Sequence, residues 1–208
     1  MNKKLNTAVK LAALGAVAML AGCAFVPDTV HPQYIPQANV QKIPGADKVA
    51  VDVVVKNENK TGNEISRKKD GFDISMAGIY MHVAKDFKTA IEKGIYDDGF
   101  SLSSNGLSTV NVVITNFYLP EQEGLVTQDY KGLANIIIKV YNIHGDILYK
   151  KDIKTSKGDT DYVIGGVGRA AKSLMNDEIN KVVSDPLFIS AIMKCGSSHH
   201  GVAVKTIR

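Results

Sequence analysis

Lys48-Val49-Ala50-Val51-Asp52-Val53-Val54-Val55-Lys56 is the stretch on which the fold turns. Val49, Val51, Val53 and Val55 alternate with Ala50, Asp52, Val54 and Lys56. A period of two built from β-branched residues predicts a strand with a buried face. Residues 57–71 are polar and charged and read as a loop. The period then changes. Met76, Ile79, Tyr80, Val83, Phe87, Ala90, Ile91 and Ile95 recur at intervals of three and four. That spacing predicts an amphipathic helix, with Ser75 as its N-cap and Gly99 just past its end. Lys85, Asp86, Lys88, Glu92 and Lys93 fall on its solvated face.

Three further strands are predicted. Residues 109–118 place Val110, Val112 and Ile114 on one face. Residues 120–124 read as an acidic turn. Residues 130–141 contain Ile136-Ile137-Ile138, apolar on both faces, as suits a central strand. Asn142-Ile143-His144-Gly145-Asp146 is a hairpin loop in which Gly145 supplies a positive φ. In the return strand, residues 147–155, Lys150, Lys151 and Lys154 are charges that protect an exposed edge.

Val167, Ala171, Leu174, Met175, Ile179, Val182 and Val183 then repeat at helical spacing. Ser184-Asp185-Pro186 breaks the helix and restarts it, with Pro186 in the first turn. Helical sequence continues to Met193. The order is β-α-β-β-β-α. The fold class is α/β (α+β): a two-layer sandwich with a mixed four-stranded sheet and two helices on one face. The first strand, helix and second strand form a right-handed parallel unit.

If the helices cover Val51, Val112, Ile136 and Ile138, the opposite face carries Val54, Val113, Phe117, Leu133, Ile137 and Tyr141. Asp52, Asn111, Asn135 and Lys139 lie between them. A one-sided sheet normally shows a polar outer face. An apolar stripe with a polar surround is the composition of a protein contact, so these six residues are the candidate partner surface.

The N-terminus has a different character. Met1-Asn2-Lys3-Lys4 precedes an apolar run from Ala8 to Leu20, then Leu20-Ala21-Gly22-Cys23. A basic start, a short apolar core and small residues at a cleavage point describe a secretory signal. The run is short for a membrane span of about 20 residues. Leu-Ala-Gly-Cys resembles the lipobox of bacterial lipoprotein precursors. The resemblance implies cleavage between Gly22 and Cys23, a diacylglycerol on the Cys23 sulfur and an acylated amino group. The lipid on Cys23 is the one covalent group expected; no other cofactor and no metal is expected.

The expected organisation is a signal peptide over 1–22, a lipidated Pro-rich tether over 23–46, a periplasmic domain over 47–194 and a flexible tail over 195–208. Pro27, Pro32, Pro36 and Pro44 favour extended backbone in the tether. Lys3, Lys4 and Lys10 leave with the signal, which takes the net charge from +4 to +1. The basic balance is therefore partly a targeting feature and does not point to nucleic acid. The only cysteines are Cys23 and Cys195. With Cys23 acylated no internal disulfide forms, and Cys195 is expected to be free.

Chemical motifs fall short. Gly166-Val167-Gly168-Arg169-Ala170-Ala171 fits a dinucleotide pattern, but no strand follows the helix it opens. Asp159-Thr160-Asp161 begins like a calcium loop, yet Val163 and Ile164 occupy a ligand position and the glycine position, so a solvated turn is expected. His31, His82, His144, His199 and His200 have no ligand spacing. Asp97-Asp98 reads as a helix C-terminal turn.

The lipobox, the Pro-rich linker, the Val49–Val55 strand, the helix ending near Asp97-Asp98-Gly99-Phe100 and Ser184-Asp185-Pro186-Leu187-Phe188 together resemble the YajG-like lipoproteins of Gram-negative bacteria. The similarity covers about residues 20–194, and the Cys195–Arg208 tail departs from it. The resemblance implies location and fold more than activity. Ala24 stands after the cysteine, where the inner-membrane retention signal is an aspartate. That implies the outer membrane, with the domain facing the periplasm. The function expected is a non-enzymatic binding or accessory domain, with the membrane and an envelope protein or a second copy as partners. The alternatives are an auxiliary lipoprotein subunit of a transport or secretion complex, and a periplasmic enzyme with an unrecognised site.

Overall fold

The computed structural model describes residues 26–37, 41–69, 74–123, 127–162 and 166–197. The valine strand forms as β2 (Ala50–Asn57). It pairs in parallel with β6 (Ser108–Tyr118), Val53 opposite Val110. Between them runs helix α1 (Val83–Asp97), so the parallel unit exists. β6 pairs antiparallel with β8 (Thr127–Asn142), and β8 with β9 (Ile147–Tyr162). The hairpin turn between β8 and β9 holds Gly145 at φ 84°. β2, β6, β8 and β9 are the four predicted strands. β5 (Ser101–Leu102) adds a parallel stub beyond β2, and β7 (Glu121–Glu123) pairs with β8 where an acidic turn was expected. The sheet thus has six strands rather than four.

A second sheet, of three strands, corrects the reading of residues 57–81. β3 (Glu64–Lys69) lies inside the expected loop. β4 (Ser75–Met81) replaces the first turns of the expected helix, so Ser75 is no N-cap; that position belongs to His82. The spacing of Met76, Ile79 and Tyr80 suits a strand as well as a helix, and Gly78 weakens the helix. Ile65 and Ser66 are buried although their neighbours are charged. The Ile65 carbonyl accepts from the Leu119 N–H at 2.7 Å, and the Ser66 hydroxyl donates to the Leu119 carbonyl at 2.6 Å. These bonds fix the small sheet to the end of β6. Its far edge is β1 (Asp28–Val30), parallel to β4.

Helices α2 (Gly166–Val183) and α3 (Pro186–Ser197) complete the helical layer, so the described residues form three long helices and not two. Phe87, Ile91 and Ile95 of α1 and Ala171, Leu174, Met175, Ile179 and Val182 of α2 are buried. Beneath them Val51, Val112, Ile136 and Ile138 are at most 1% exposed, as predicted for the covered face. The break before α3 is held by Asp185. Its Oδ1 accepts from the Leu187 N–H at 2.9 Å, and its Oδ2 from the Tyr149 hydroxyl at 2.8 Å and Lys151 Nζ at 2.6 Å. Burial pushes Asp185 up, but Lys151, the Leu187 N–H and Tyr149 pull it below the usual carboxylate range. α3 runs past Met193 to Ser197, so Cys195 is not in a tail. It is a buried free thiol, raised by that burial.

Candidate functional site: an open sheet face and a strapped helix layer

The sheet face opposite the helices is open. Val54 is 42% exposed and Leu133 40%, with Val113, Ile137 and Tyr141 half-buried. Val113 lies directly opposite Ile137 across the β6–β8 ladder, and Thr109 opposite Tyr141. Five of the six predicted surface residues therefore share one face. Phe117 does not. The register shifts between Ile114 and Asn116, and this bulge returns Phe117 to the core, where it is fully buried. The polar surround includes Asp52, Asn111 and Lys139. Lys139 faces Lys150 across the β8–β9 ladder, and like charges placed opposite repel.

The helix layer carries a strap. Residues 26–37, read from sequence as a free tether, lie along α1 and α2. Tyr34 is buried, and its hydroxyl donates to Asn180 Oδ1 at 2.8 Å. The Ile35 N–H donates to Asn176 Oδ1 at 3.3 Å. Burial first, then Asp98 and Asp97, push the Tyr34 phenol up to about 12. A cleft of about 450 Å³ separates this segment from Lys85, Asp86 and Lys93 of α1. A smaller one, about 240 Å³, is lined by Tyr34, Asp98 and Asn180. The one sequence signal for this docking was a tyrosine among prolines.

His31 stacks on His82 with ring centroids 5.6 Å apart. Among the described residues two carboxylates are buried. Glu178 of α2 is fully buried, and burial pushes it up to about 7 against the opposing pull of Thr155 and Lys181. Asp98 closes α1 and is pushed up to about 6 by burial and by Asp97. Neither stood out in the sequence as a buried acid. Gly166 and Gly168 open α2 after an antiparallel strand, so the dinucleotide pattern is a helix start. Asp159-Thr160-Asp161 lies in β9 rather than in a turn. Among the described residues, no three metal-ligating side chains come together, and no helix is long and apolar enough to cross a membrane. Cys23, His199 and His200 lie outside the described residues.

The family described as "Uncharacterized lipoprotein" matches residues 36–191. No curated protein matches the chain. Among solved structures, a Xanthomonas campestris protein of the DUF330 family is 10% identical with a TM-score of 0.56, over 84% of this chain and 99% of that one. A minor lipoprotein from Acinetobacter baumannii is 8% identical with a TM-score of 0.35, over 73% and 95%. A lipoprotein from Neisseria meningitidis is 8% identical with a TM-score of 0.36, over 64% and 99%. The first of these likenesses is one of fold. The family match spans most of the domain, from the end of the strap into α3, and the chain belongs to this family of uncharacterised lipoproteins.

Proposed function

We propose that the protein is a lipid-anchored accessory lipoprotein of the bacterial envelope that works by binding another protein on its open sheet face. Cys23 carries the lipid, the anchor lies in the outer membrane, and the domain faces the periplasm. Family membership supports the lipid, and the lipobox with Ala24 after it supports the site and the membrane. The same features favour the YajG-like branch of the family. The observation that carries the contact reading is the patch of Val54, Val113, Leu133, Ile137 and Tyr141, opposite the layer that buries the core. An apolar centre with a polar rim is the anatomy of a protein interface.

The test is in-cell crosslinking from a photoreactive residue placed at Ile137, compared with one at exposed Tyr96 on α1. A discrete adduct from Ile137 alone is expected, and Leu133→Ser with Tyr141→Ser removes it while the protein stays folded. A stoichiometric transport component in that adduct makes the protein its auxiliary subunit; its own subunit mass makes it a homodimer. No adduct from Ile137 overturns the contact reading. Cys23→Ser should abolish fatty-acid labelling, and unchanged labelling overturns the anchor. Co-sedimentation with inner-membrane markers overturns the outer-membrane placement.

A further inference from the structure

The ladders set the open face in rows. One row is Val54, Asn111, Lys139 and Lys150, and the next is Lys56, Val113, Ile137 and Asp152. Side chains directly opposite on neighbouring strands stand about 5 Å apart. Lys139 and Lys150 are therefore two positive charges side by side, against the apolar residues of the patch. The neighbouring charges are neutralised: Lys56 binds Glu58 at 2.6 Å, and Asp152 binds Lys154 at 3.7 Å. Among the described residues neither Lys139 nor Lys150 is in an ion pair. Like charges in register cost stability, and a carboxylate at either position would have turned the cost into a gain.

An anion seated between the two ammonium groups relieves the repulsion. Ile137 and Tyr141 lie on either side of Lys139 along β8, each about 7 Å away, so apolar groups flanking that anion would rest on them. A second copy is a poor source of the anion. Its face brings the same two lysines with Asp52, so two faces together carry more positive than negative charge at this place. We propose that the partner docks with an acidic segment, one Asp or Glu between Lys139 and Lys150 and apolar side chains on Ile137 and Tyr141. The inference rests on the sheet-face contact proposed above and adds the chemistry of what binds there. The lysines select the partner and speed the encounter, and the apolar patch holds the complex.

The experiment crosslinks the full-length protein in cells from a photoreactive residue at Ile137. The backgrounds are wild type, Lys150→Glu, Lys139→Glu with Lys150→Glu, and Lys139→Arg with Lys150→Arg. The adduct should fall severalfold in Lys150→Glu, vanish in the double Glu variant and survive in the double Arg variant. The crosslinked partner peptide should carry Asp or Glu beside the attachment point. Lys150→Glu also sets opposite charges across the ladder, so the thermal midpoint of the purified protein should rise by about 1–3 °C. Weaker capture by a more stable protein separates binding from folding. An adduct that survives both Glu variants, or a partner peptide without a carboxylate, overturns the acidic segment and leaves the contact standing. So does an adduct of two copies of this chain. A midpoint that does not rise in Lys150→Glu removes the repulsion and overturns it as well. An adduct with lipid in place of protein, or none from Ile137 in the wild-type background, overturns both.

Discussion

Phe117 meets Phe87 edge to face, ring centroids 5.2 Å apart and planes at 84°. The pair joins the end of β6 to the middle of α1, and it exists because one extra residue in β6 reverses the alternation. Phe117→Ala should cost about 3–5 kcal/mol, the range for a buried aromatic. Leu133→Ser, 40% exposed on the other face, should cost less than about 1 kcal/mol. Urea unfolding of the two variants decides it, and equal midpoints would place Phe117 outside the core.

That pair also marks where sequence reading stops. Valine and isoleucine periodicity located β2, β6, β8 and the buried face of α1, and the hairpin loop at Gly145 located β9 as the return strand. Strict alternation assigned Phe117 to the open face, since nothing in Ile114-Thr115-Asn116 announces a bulge. β3 stayed hidden because a strand held by backbone bonds to Leu119 can afford charged side chains. Proline content predicts a tether where the strap lies, because it speaks of extended backbone and not of what that backbone rests on. Of the candidate surface, the five residues off the bulge were legible.

Glu178 gives stability a pH dependence. Its folded-state pKa, about 7, lies above the ordinary 4.5, so the folded state holds the proton longer than the unfolded chain. The Glu178 contribution to stability is therefore fullest below pH 4.5, falls as pH rises through about 7, and levels off above. The drop is up to about 3 kcal/mol. Asp98, raised to about 6, adds a fall in the same direction. A hydrogen bond with Thr155 and the charge of Lys181 pull Glu178 down, and Asp177 pushes it up. Glu178→Gln should match the wild type at pH 4 and exceed it at pH 8 in urea titrations. Parallel pH profiles for the two proteins would refute this.

Tyr34 is the button of the strap. Tyr34→Phe loses only the bond to Asn180 and should cost about 1 kcal/mol. Tyr34→Ala also empties the site between the helices and should expose residues 26–37 to proteolysis well below the global unfolding midpoint. Limited proteolysis with N-terminal sequencing of the fragments reads this directly. Equal resistance of wild type and Tyr34→Ala would mean that other contacts hold the strap.

Gly106 sits against the backbone of β2. A Cβ there would come within 2.6 Å of the Ala50 carbonyl oxygen and 2.7 Å of the Asp52 nitrogen. Backbone atoms in a paired strand cannot step aside as a side-chain tip can. Gly106→Ala should lower the thermal midpoint by several degrees, corresponding to about 1–3 kcal/mol. Gly62→Ala, which meets nothing within 4 Å but has φ +62°, should cost about 1 kcal/mol from backbone strain alone. The ranking of the two midpoints is the test.

The strap also sets a mechanical property. β1 is joined to β4 through only three residue pairs, and tension applied upstream of Val26 pulls along the strand and so loads that pairing in shear. Once β1 slides free and Tyr34 lets go, the chain from Val26 to Lys42 can pay out ahead of the turn anchored by the Ile43 N–H on the Asp98 carbonyl and by buried Ala46. At about 3.4 Å per residue that is close to 60 Å of extended chain. Under load the molecule has two lengths, short while the strap is buttoned and long once it opens, and the large sheet stays intact in both.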